Sequence, residues 1–520
     1  MVPAVDPLLG LVVLVLALGG FTTPLISRLS RNRYAVRTYP LIYCAASLAM
    51  ASLIMEHVWV AGEPVVYLLG GWRPPVGILY IADGLSALLG VVTSLVMLLI
   101  MIYSTGYLEG SGREYTYYSL MLLLEAGMLG CIYTGDVFHL FVMLEVTSLS
   151  AYALVAYIRD KREALYASYK YAIYGGLATT IYFLAVLFIY GGVGSLTIGD
   201  IHLRMAAYMS RYARPVFLCG LVFTILSFTA FLYKAAVFPL HFWLPDAHPE
   251  APSPVSAALS GLVVNIGVYG IVRFAYTIYH GLPDPGLYSL SLMITGGLGC
   301  LSSLVGAVLM ASYKDVKRII ASSTIMNIGF MMMGYSTGSP LGIAASTLHL
   351  MNHSFAKSLA FLSSGVLIKS AGSRVLERLR GLGRALRYAG IPFAISLLSL
   401  AGVPLFNVFV SEYLLAASFI HTGKWVFLCF FMASYIISTI VYLRILYEVC
   451  LKTPAAPTTH RSGREWIPVA AMLTALSITC IITGILSGYI ISKIIMPASQ
   501  CLYTNTEYLE TVKKYLLNIH

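Results

Sequence analysis

Residues 234–254 read KAAVFPLHFWLPDAHPEAPSP and stand between two apolar runs. The stretch holds a lysine, two histidines, an aspartate and a glutamate together with five prolines. A helix cannot pass unbroken through so many prolines, because each removes a backbone donor and clashes with the preceding turn. The stretch therefore predicts a charged, irregular break between two helices in an apolar environment.

The composition places these helices in a membrane. Of the 520 residues, 59% are hydrophobic and 11% are charged, whereas a soluble protein has about 25% charged residues. The net charge of +11 is interpreted as loop charge that orients the helices, and no nucleic-acid partner is predicted. The eight cysteines form no CxxC pair, which argues against a metal, a cluster or disulfides. We predict no cofactor and no catalytic centre within the chain.

Apolar stretches long enough to cross about 30 Å of hydrocarbon predict an all-α polytopic protein with about fourteen membrane-spanning helices. Lysine and arginine are concentrated in the loops after odd-numbered spans, which predicts that both termini lie on the outer side of a cell membrane. The spans, numbered in chain order, are 5–26, 39–60, 79–103, 115–133, 137–157, 166–190, 213–247, 254–279, 287–311, 319–337, 340–368, 389–419, 423–450 and 466–492.

Spans 7 and 12 are both broken. Span 7 contains the opening stretch, and span 12 contains LAGVPLFNVFVSEYLL, residues 400–415, with an internal glycine and proline. Paired broken helices at corresponding positions indicate a transporter built from inverted repeats. We therefore predict three spans in residues 1–112, a first five-helix repeat in 113–283, a second, inverted repeat in 284–450, and a C-terminal helix and tail in 451–520.

Ionisable groups inside spans indicate function, because each costs free energy in lipid. Span 11 places His349, His353 and Lys357 at intervals of four residues, hence on one helical face. Titratable groups one turn apart can pass a proton through water, and histidine titrates near neutrality. We favour a proton relay over the alternative that these groups only satisfy each other's hydrogen bonds. Glu412 in span 12 and Glu125 in span 4 are the further carboxyls within spans, and Glu125 is expected either to pair with a basic group nearby or to alter the ion carried.

Glu145 in span 5 and Lys234 in span 7 are predicted to form a coupled pair. Each would favour the charged form of the other. A switch that titrates as a unit is the favoured interpretation, and a static ion pair is the alternative. In the broken segment, His241 extends the relay. His248 either joins it or makes a loop contact with Asp246.

Four further stretches, read with LYKAAVFPLHFWLPDAHPEAPSPVSAALSGLVVNIGVYGIVRF, resemble one family. They are YTGDVFHLFVMLEVTSLSAYALVAY, ASYKYAIYGG, LMNHSFAKSLAFLSSG and AGVPLFNVFVSEYLL. The chain is similar to the proton-conducting, antiporter-like membrane subunits of respiratory NADH:quinone oxidoreductase (complex I), membrane-bound hydrogenases and Mrp-type cation/proton antiporters. The motifs place the family's functional residues at Glu145, Lys170, Lys234, Lys357 and Glu412.

The resemblance implies a polar path at mid-membrane. Glu145 and Lys234 would form its first pair, and span 11 would lead towards Glu412. The family usually has a lysine in span 8 where this chain has Asn265. The path between the halves then runs through water, detours through span 11, or is broken, because an amide cannot carry a proton as an ammonium does.

The expected function is proton or cation translocation as a membrane subunit of a respiratory redox complex, such as a membrane-bound hydrogenase or an NADH:quinone oxidoreductase-like complex. Its expected partners are other membrane subunits and a peripheral arm with iron–sulfur clusters, and its expected ions are protons or sodium. One alternative is a subunit of an Mrp-type Na⁺/H⁺ antiporter without redox chemistry. The other is a structural anchor whose proton path has decayed.

Overall fold

The computed structural model describes residues 5–29, 33–109, 112–454 and 466–516. Within them the protein is helical apart from one β-hairpin. The first part of the chain forms α1 (Asp6–Leu29), α2 (Arg33–Ala61), β1 (Val65–Leu68), β2 (Leu79–Ala82), α3 (Gly84–Tyr107) and α4 (Glu114–Tyr133). The next part forms α5 (Val137–Val155), α6 (Arg162–Val193), α7 (Ile198–Lys234), α8 (Leu244–Glu250), α9 (Ser253–Ala258) and α10 (Val264–Arg273).

The remaining elements are α11 (Gly286–Ser312), α12 (Val316–Tyr335), α13 (Pro340–Ala371), α14 (Leu382–Ala385), α15 (Arg387–Leu400), α16 (Asn407–His421), α17 (Trp425–Leu446), α18 (Trp466–Ile485), α19 (Ser487–Ile490), α20 (Met496–Thr504) and α21 (Thr506–Tyr515). Helices α9 and α10 belong to one continuous helix, Ser253–Tyr279. Eleven of the described helices are long and apolar enough to cross a membrane. The predicted class, an all-helical multi-pass membrane protein, is confirmed.

The start of span 3 differs from the prediction. Residues 79–82 pair antiparallel with β1, with Val65 opposite Ala82. Helix α3 begins only at Gly84, because Asp83 and Ser86 form a reciprocal cap in which each side chain accepts from the other's backbone N–H. Short apolar runs suit a strand or a helix equally well, and here pairing with β1 selects the strand.

The helix of span 7 and the C-terminal tail also extend beyond the prediction. Helix α7 begins at Ile198, not at residue 213, and is kinked at Tyr212. Its added first turns pack against the tail, where Gly199 lies against Val512 of α21. The tail is ordered around Asn505, whose side chain donates to the carbonyl oxygens of Tyr276 at 2.8 Å and His280 at 3.2 Å. Tertiary contacts of this kind stabilise the helical conformation of the polar first turns of α7 and of the C-terminal tail.

The two predicted breaks are present and have the same backbone hydrogen bonds. After α7, the N–H groups of residues 235, 236 and 237 donate to the carbonyls of residues 231, 233 and 232. After α15, those of residues 401, 402 and 403 donate to residues 397, 399 and 398. Ala236 (φ 54°) and Gly402 (φ 66°) take the left-handed conformation that ends each helix. The backbone N–H groups at each break therefore find acceptors within the protein, as a break at membrane depth requires.

Two helix starts are also built alike, at opposite edges of the molecule. Asp136 caps α5 with its side chain and bridges to Thr197, beside the hairpin. Asp315 caps α12 in the same way and bridges to Val375. We call the edge with the hairpin, Asp136 and α21 the hairpin edge, and the edge with Asp315, α8 and the residues after α13 the basic edge.

A buried ion pair fastens α3 to the helix Ser253–Tyr279 near the hairpin edge. Arg273 donates to both carboxylate oxygens of Asp83, at 2.6 and 2.8 Å. The guanidinium also lies over the ring of Tyr508, 5.1 Å from its centroid, which attaches α21 to the pair. The pair holds three parts of the chain together.

We expect Asp83→Asn to destabilise the protein by about 3–5 kcal/mol, because it leaves the Arg273 guanidinium buried without a counter-charge. Thermal unfolding of the purified protein in detergent measures the loss. Glu448→Gln, which removes a half-exposed pair with Lys452, serves as the control and should cost less than about 1 kcal/mol. Equal losses in the two variants would contradict this account of the pair.

Candidate functional site

Lys234 ends α7 at the first break and is buried. Its ammonium donates to the hydroxyl of Ser148 on α5 and lies 5.7 Å from the centroid of the Tyr152 ring. Glu145 lies three residues before Ser148 on the same helix and is half-buried. Its carboxylate is close enough for its charge to interact with that of Lys234, but no carboxylate of the described residues lies within 4.0 Å of the Lys234 ammonium. The Ser148 hydroxyl, and not the Glu145 carboxylate predicted from the sequence, is therefore the direct partner of the Lys234 ammonium.

Lys170 has a different role from Lys234. Its ammonium forms an ion pair with Asp246 of α8 at 2.7 Å, which ties α6 to the segment after the first break. His241 lies within that break beside Phe238, with ring centroids 5.6 Å apart, and its Nδ1 has no protein partner. Both residues therefore lie close to the break, on the side of α8.

Helix α13 places His349, His353 and Lys357 along one buried face, as the spacing predicted. The rings of His349 and His353 have centroids 6.5 Å apart. Lys357 donates to the hydroxyl of Ser323 and, at 3.2 Å, to the carbonyl oxygen of Ile320 on α12. All three titratable side chains are fully buried. Neither ring nitrogen of His353 has a protein partner, so this ring is open to water or to a proton.

His349 joins α12 to α16 through its two ring nitrogens. Asn327 donates through Nδ2 to the carbonyl of Ser323 at 2.7 Å, so its Oδ1 accepts from His349 Nε2 at 2.9 Å. Nδ1 of His349 faces the hydroxyl of Ser411 at 2.9 Å. That hydroxyl can donate to Nδ1 or turn to the carbonyl of Val408 at 2.8 Å. The ring can therefore gain a second proton without leaving a hydrogen bond unmade.

Glu412 follows Ser411 in the chain and lies directly beside the second break. Both of its carboxyl oxygens are buried and have no protein partner. A Cβ at Gly402 would lie 2.4 Å from Glu412 Oε2, so glycine at this break allows the carboxyl to approach the backbone closely. Ser411, the last hydroxyl of the α13 network, is thus followed in the chain by a buried carboxyl without a protein partner.

Asn265 lies between the two halves of the chain, and its amide cannot carry a proton as the lysine usual at this position of the family does. Its Nδ2 donates to the Gly261 carbonyl at 2.7 Å and to Ser354 Oγ on α13 at 3.0 Å, while Oδ1 has no protein partner. A small cavity beside it, of about 10 Å³, is otherwise lined mainly by apolar side chains. This is close to the volume of one water molecule. The contact with Ser354 joins Asn265 to the helix that carries the histidines.

Glu125 is buried away from both breaks. It accepts from Ser47 Oγ at 2.7 Å and from Cys44 Sγ at 3.2 Å, and Ser47 is 2.9 Å from Ser94 Oγ. No lysine, arginine or histidine lies within 4.0 Å of its carboxyl among the described residues. Glu125 thus links α2, α3 and α4 through uncharged donors, and the basic partner considered for it from sequence is not found.

His248 in α8 is fully buried, and neither of its ring nitrogens has a protein partner. Its ring stacks on Phe361 of α13, with centroids 4.8 Å apart. The two acidic residues around it have other partners: Asp246 pairs with Lys170, and Glu250 pairs with Arg374 at 2.9 Å. The loop contact between His248 and Asp246 is therefore absent, and the ring points into the core.

Sequence reasoning missed the small polar residues that connect these groups. Ser148 accepts from Lys234, Ser323 accepts from Lys357, and Asn327 and Ser411 are the partners of His349. The sequence contains a signal for them, because Ser323 and Asn327 stand one helical turn apart in ASSTIMNIGF, residues 321–330. Polar side chains with this spacing face a neighbouring helix rather than lipid.

The helical fold, its two breaks and the line of buried titratable groups define an antiporter-like membrane subunit. Residues 134–438 match the family model described as NADH:quinone oxidoreductase/Mrp antiporter, TM. The match covers more than half of the chain, and the chain belongs to this family.

Two curated relatives illustrate its breadth. NADH-quinone oxidoreductase subunit N of Desulforudis audaxviator is 29% identical over 476 residues, covering 89% of this chain and 93% of the relative. The putative antiporter subunit mnhD2 of Staphylococcus aureus is 28% identical over 404 residues, covering 77% of each. The resemblance expected from the sequence is confirmed on both sides of the family.

Solved structures agree. The membrane-bound sulfane sulfur reductase, an archaeal respiratory membrane complex, contains a chain that superposes with a TM-score of 0.88 at 26% identity, covering 97% of this chain and 99% of that chain. The Mrp complex from Dietzia gives 0.85 at 26% identity, covering 96% and 98%. Respiratory complex I from Thermus thermophilus gives 0.73 at 25% identity, covering 92% and 98%. These relatives are subunits of multi-subunit membrane complexes.

Proposed function

We propose that the chain is the proton-translocating membrane subunit of a respiratory redox complex. The carrying observation is the buried network from Lys357 through Ser323 and Asn327 to His349 and Ser411, which ends beside Glu412. Lys357, His349 and Glu412 are its titratable members, and Ser323, Asn327 and Ser411 are the hydrogen-bonding residues between them. Such a network moves protons when its charges change, and it has little value as a stabilising device.

Proton transfer in the first half would begin at Glu145 and Lys234. The ammonium is held by Ser148, so a small movement of α5 or α7 alters its distance from Glu145. Moving one charge against 100 mV costs about 2.3 kcal/mol, which is within the range of an interaction between two coupled charges. His241 and Lys170 beside the break, and Asn265 with its cavity, are the proposed links to water and to the second half.

We also propose fourteen spans in two inverted repeats. Besides the eleven apolar helices, α12, α13 and the broken pair α15–α16 bring the number to fourteen. The matched breaks and the matched Asp136 and Asp315 caps support the repeats, because each cap lies at the opposite edge. The proposed units remain residues 113–283 and 284–450, between three N-terminal spans and a C-terminal helix with its tail, in a cell membrane with both termini outside.

The position of Glu145 supports assembly with other membrane subunits. It lies on the face of α5 that also carries Phe138, 39% exposed, and Leu149, 63% exposed. A carboxylate on a face open to hydrocarbon costs free energy unless another protein covers it. We infer that a neighbouring membrane subunit covers this face, and that a peripheral arm with iron–sulfur clusters supplies the drive.

An Mrp-type antiporter subunit is the second candidate. It is favoured by the mnhD2 relative and by the TM-score of 0.85 with the Mrp complex. The motifs favour the redox complex, because Ser411 and Glu412 in FVSEY, together with HPEAPSP, are more similar to the hydrogenase-type and quinone-reductase subunits than to antiporter members, which often have a lysine at this position of span 12. Both candidates use the same relay and differ in what drives it.

Purification of the intact complex from its source, with identification of its subunits, tests the proposal. We expect iron–sulfur subunits, and donor-driven proton transport after reconstitution in vesicles. A complex without redox subunits that dissipates a pH gradient only when sodium is added would establish the antiporter instead. If the native complex moved no ions and Asn265→Lys restored transport, the chain would be the decayed anchor.

A further inference from the structure

The basic edge carries a cluster of charges in which Asp246, Glu250 and Asp315 form ion pairs with Lys170, Arg318 and Arg374. Asp246 pairs with Lys170 at 2.7 Å and with Arg318 at 3.7 Å. Arg374 pairs with Glu250 at 2.9 Å and with Asp315 at 3.2 Å. Within this cluster, every carboxylate has at least one basic partner.

Lys317 lies at the same edge, is buried, and forms no such ion pair. Only 4% of its surface is exposed, and its ammonium donates to the carbonyl oxygen of Ala251 at 2.7 Å. No carboxylate of the described residues lies within 4.0 Å of it. Lys317 also stands in the first turn of α12, where the helix dipole disfavours a positive charge. Burial, the dipole and the missing counter-charge all make this ammonium ready to release a proton.

A cavity at the basic edge reaches the segment that Lys317 contacts. The cavity has a volume of about 350 Å³ and is lined by Asp246, Glu250 and Arg318, with residues of the first turns of α6. Glu250 directly precedes Ala251, the residue whose carbonyl oxygen accepts from the Lys317 ammonium. Glu250 therefore belongs both to the wall of the cavity and to the neighbourhood of the lysine, where Asp315, Arg374 and Lys161 are the other charged groups.

The contact of Lys317 also leads towards the relay. Its acceptor, Ala251, follows His248 by three residues, and the ring nitrogens of His248 are buried and have no protein partner. The ring of His248 packs on Phe361, one turn of α13 beyond Lys357. A buried imidazole with two free nitrogens is thus near both the segment that Lys317 contacts and the helix that carries the relay lysine.

We propose that Lys317 is the proton-accepting group through which the cavity at the basic edge loads His248 and Lys357. The inference rests on the proposed function and adds the entrance to it. The ammonium of Lys317 gives its proton through water to the imidazole of His248, and the neutral amine takes a proton from water in the cavity. The hydrogen bond to Ala251 holds the amine in position during both steps.

A purely structural role is the alternative, since the hydrogen bond from Lys317 to Ala251 also joins α12 to the C-terminal end of α8. Arginine separates the two roles: it keeps the charge and the donors but stays protonated in proteins. A structural tie survives Lys317→Arg, whereas a proton-accepting group does not. Lys317→His supplies a titratable group of lower intrinsic pKa.

The test is proton transport by the native complex in vesicles, measured with a pH-sensitive dye. We expect Lys317→Arg to lower the rate on the order of tenfold or more, and Lys317→His to retain transport with its pH midpoint moved to lower pH. Lys452→Arg, at a half-exposed lysine paired with Glu448, is the matched control and should transport as the native protein does.

The outcomes are distinct. Native rates and an unchanged pH profile in both Lys317 variants overturn the inference while the proposed function stands. If Lys317→Arg fails to assemble, the pH midpoint of Lys317→His decides. Absence of proton transport in the native complex itself overturns the proposed function, whatever the variants do.

Discussion

Lys234→Met is expected to reduce proton transport by the assembled complex about 100-fold or more. Methionine has nearly the length of lysine and fills the same space, but it can neither hold a proton nor respond to Glu145. The ammonium is the donor to Ser148 at the first break, so its loss removes the titrating member of that contact. Electron transfer through the redox subunits should persist at least in part. Vesicle transport and electron-transfer assays on one preparation measure both effects.

Glu145→Gln should give the same separation of transport from electron transfer, since the amide keeps the volume and loses the charge. Lys493→Met is the control, because Lys493 is exposed and far along the chain, between α19 and α20. Undiminished transport in both Lys234→Met and Glu145→Gln would remove this pair from the mechanism. Equal losses in the control would indicate a general effect of removing lysine.

Glu412→Gln is expected to reduce proton transport by a similar factor, about 100-fold, without lowering thermal stability. The carboxyl lies at the end of the His349–Ser411 network with both oxygens unpartnered. An amide of the same shape cannot accept and release a proton, yet it buries no charge, so stability should be equal to or greater than that of the native chain. Vesicle transport and thermal unfolding in detergent provide the two measurements.

The comparison between the two measurements is what makes the Glu412 result specific. A structural carboxyl would lose stability and transport together, whereas a titrating one loses transport alone. Glu510→Gln on α21 is the control, because that side chain is exposed. Normal transport in Glu412→Gln would contradict its role as the end of the relay.

Much of the architecture could be predicted from local pattern. Apolar length identified the membrane class, and the prolines and glycines located both breaks, at Lys234 and at Gly402. The four-residue spacing placed His349, His353 and Lys357 on one face, as the structure has them. These features depend on helical periodicity and on proline geometry, which act over a few residues.

Contacts between helices could not be predicted in this way. The sequence suggested a direct pair of Glu145 with Lys234, but Ser148 takes the ammonium. It suggested a basic partner for Glu125, but two uncharged donors satisfy that carboxyl. It missed the β-hairpin and the folded tail, because their conformation depends on strand pairing and on contacts with residues hundreds of positions away.

The amino-acid sequence by itself determined that this chain is a membrane protein, at which residues its helices are broken, and which few side chains within the spans can ionise. These features follow from hydropathy and from proline, whose effects are local. Which partner each ionisable group obtains was decided only by the packing of distant helices. A shift of one helical turn between two packed helices would replace a hydroxyl with an amide or a carboxylate at hydrogen-bonding distance. The relative position of the helices that prevents such a shift is set by the packing of the whole bundle.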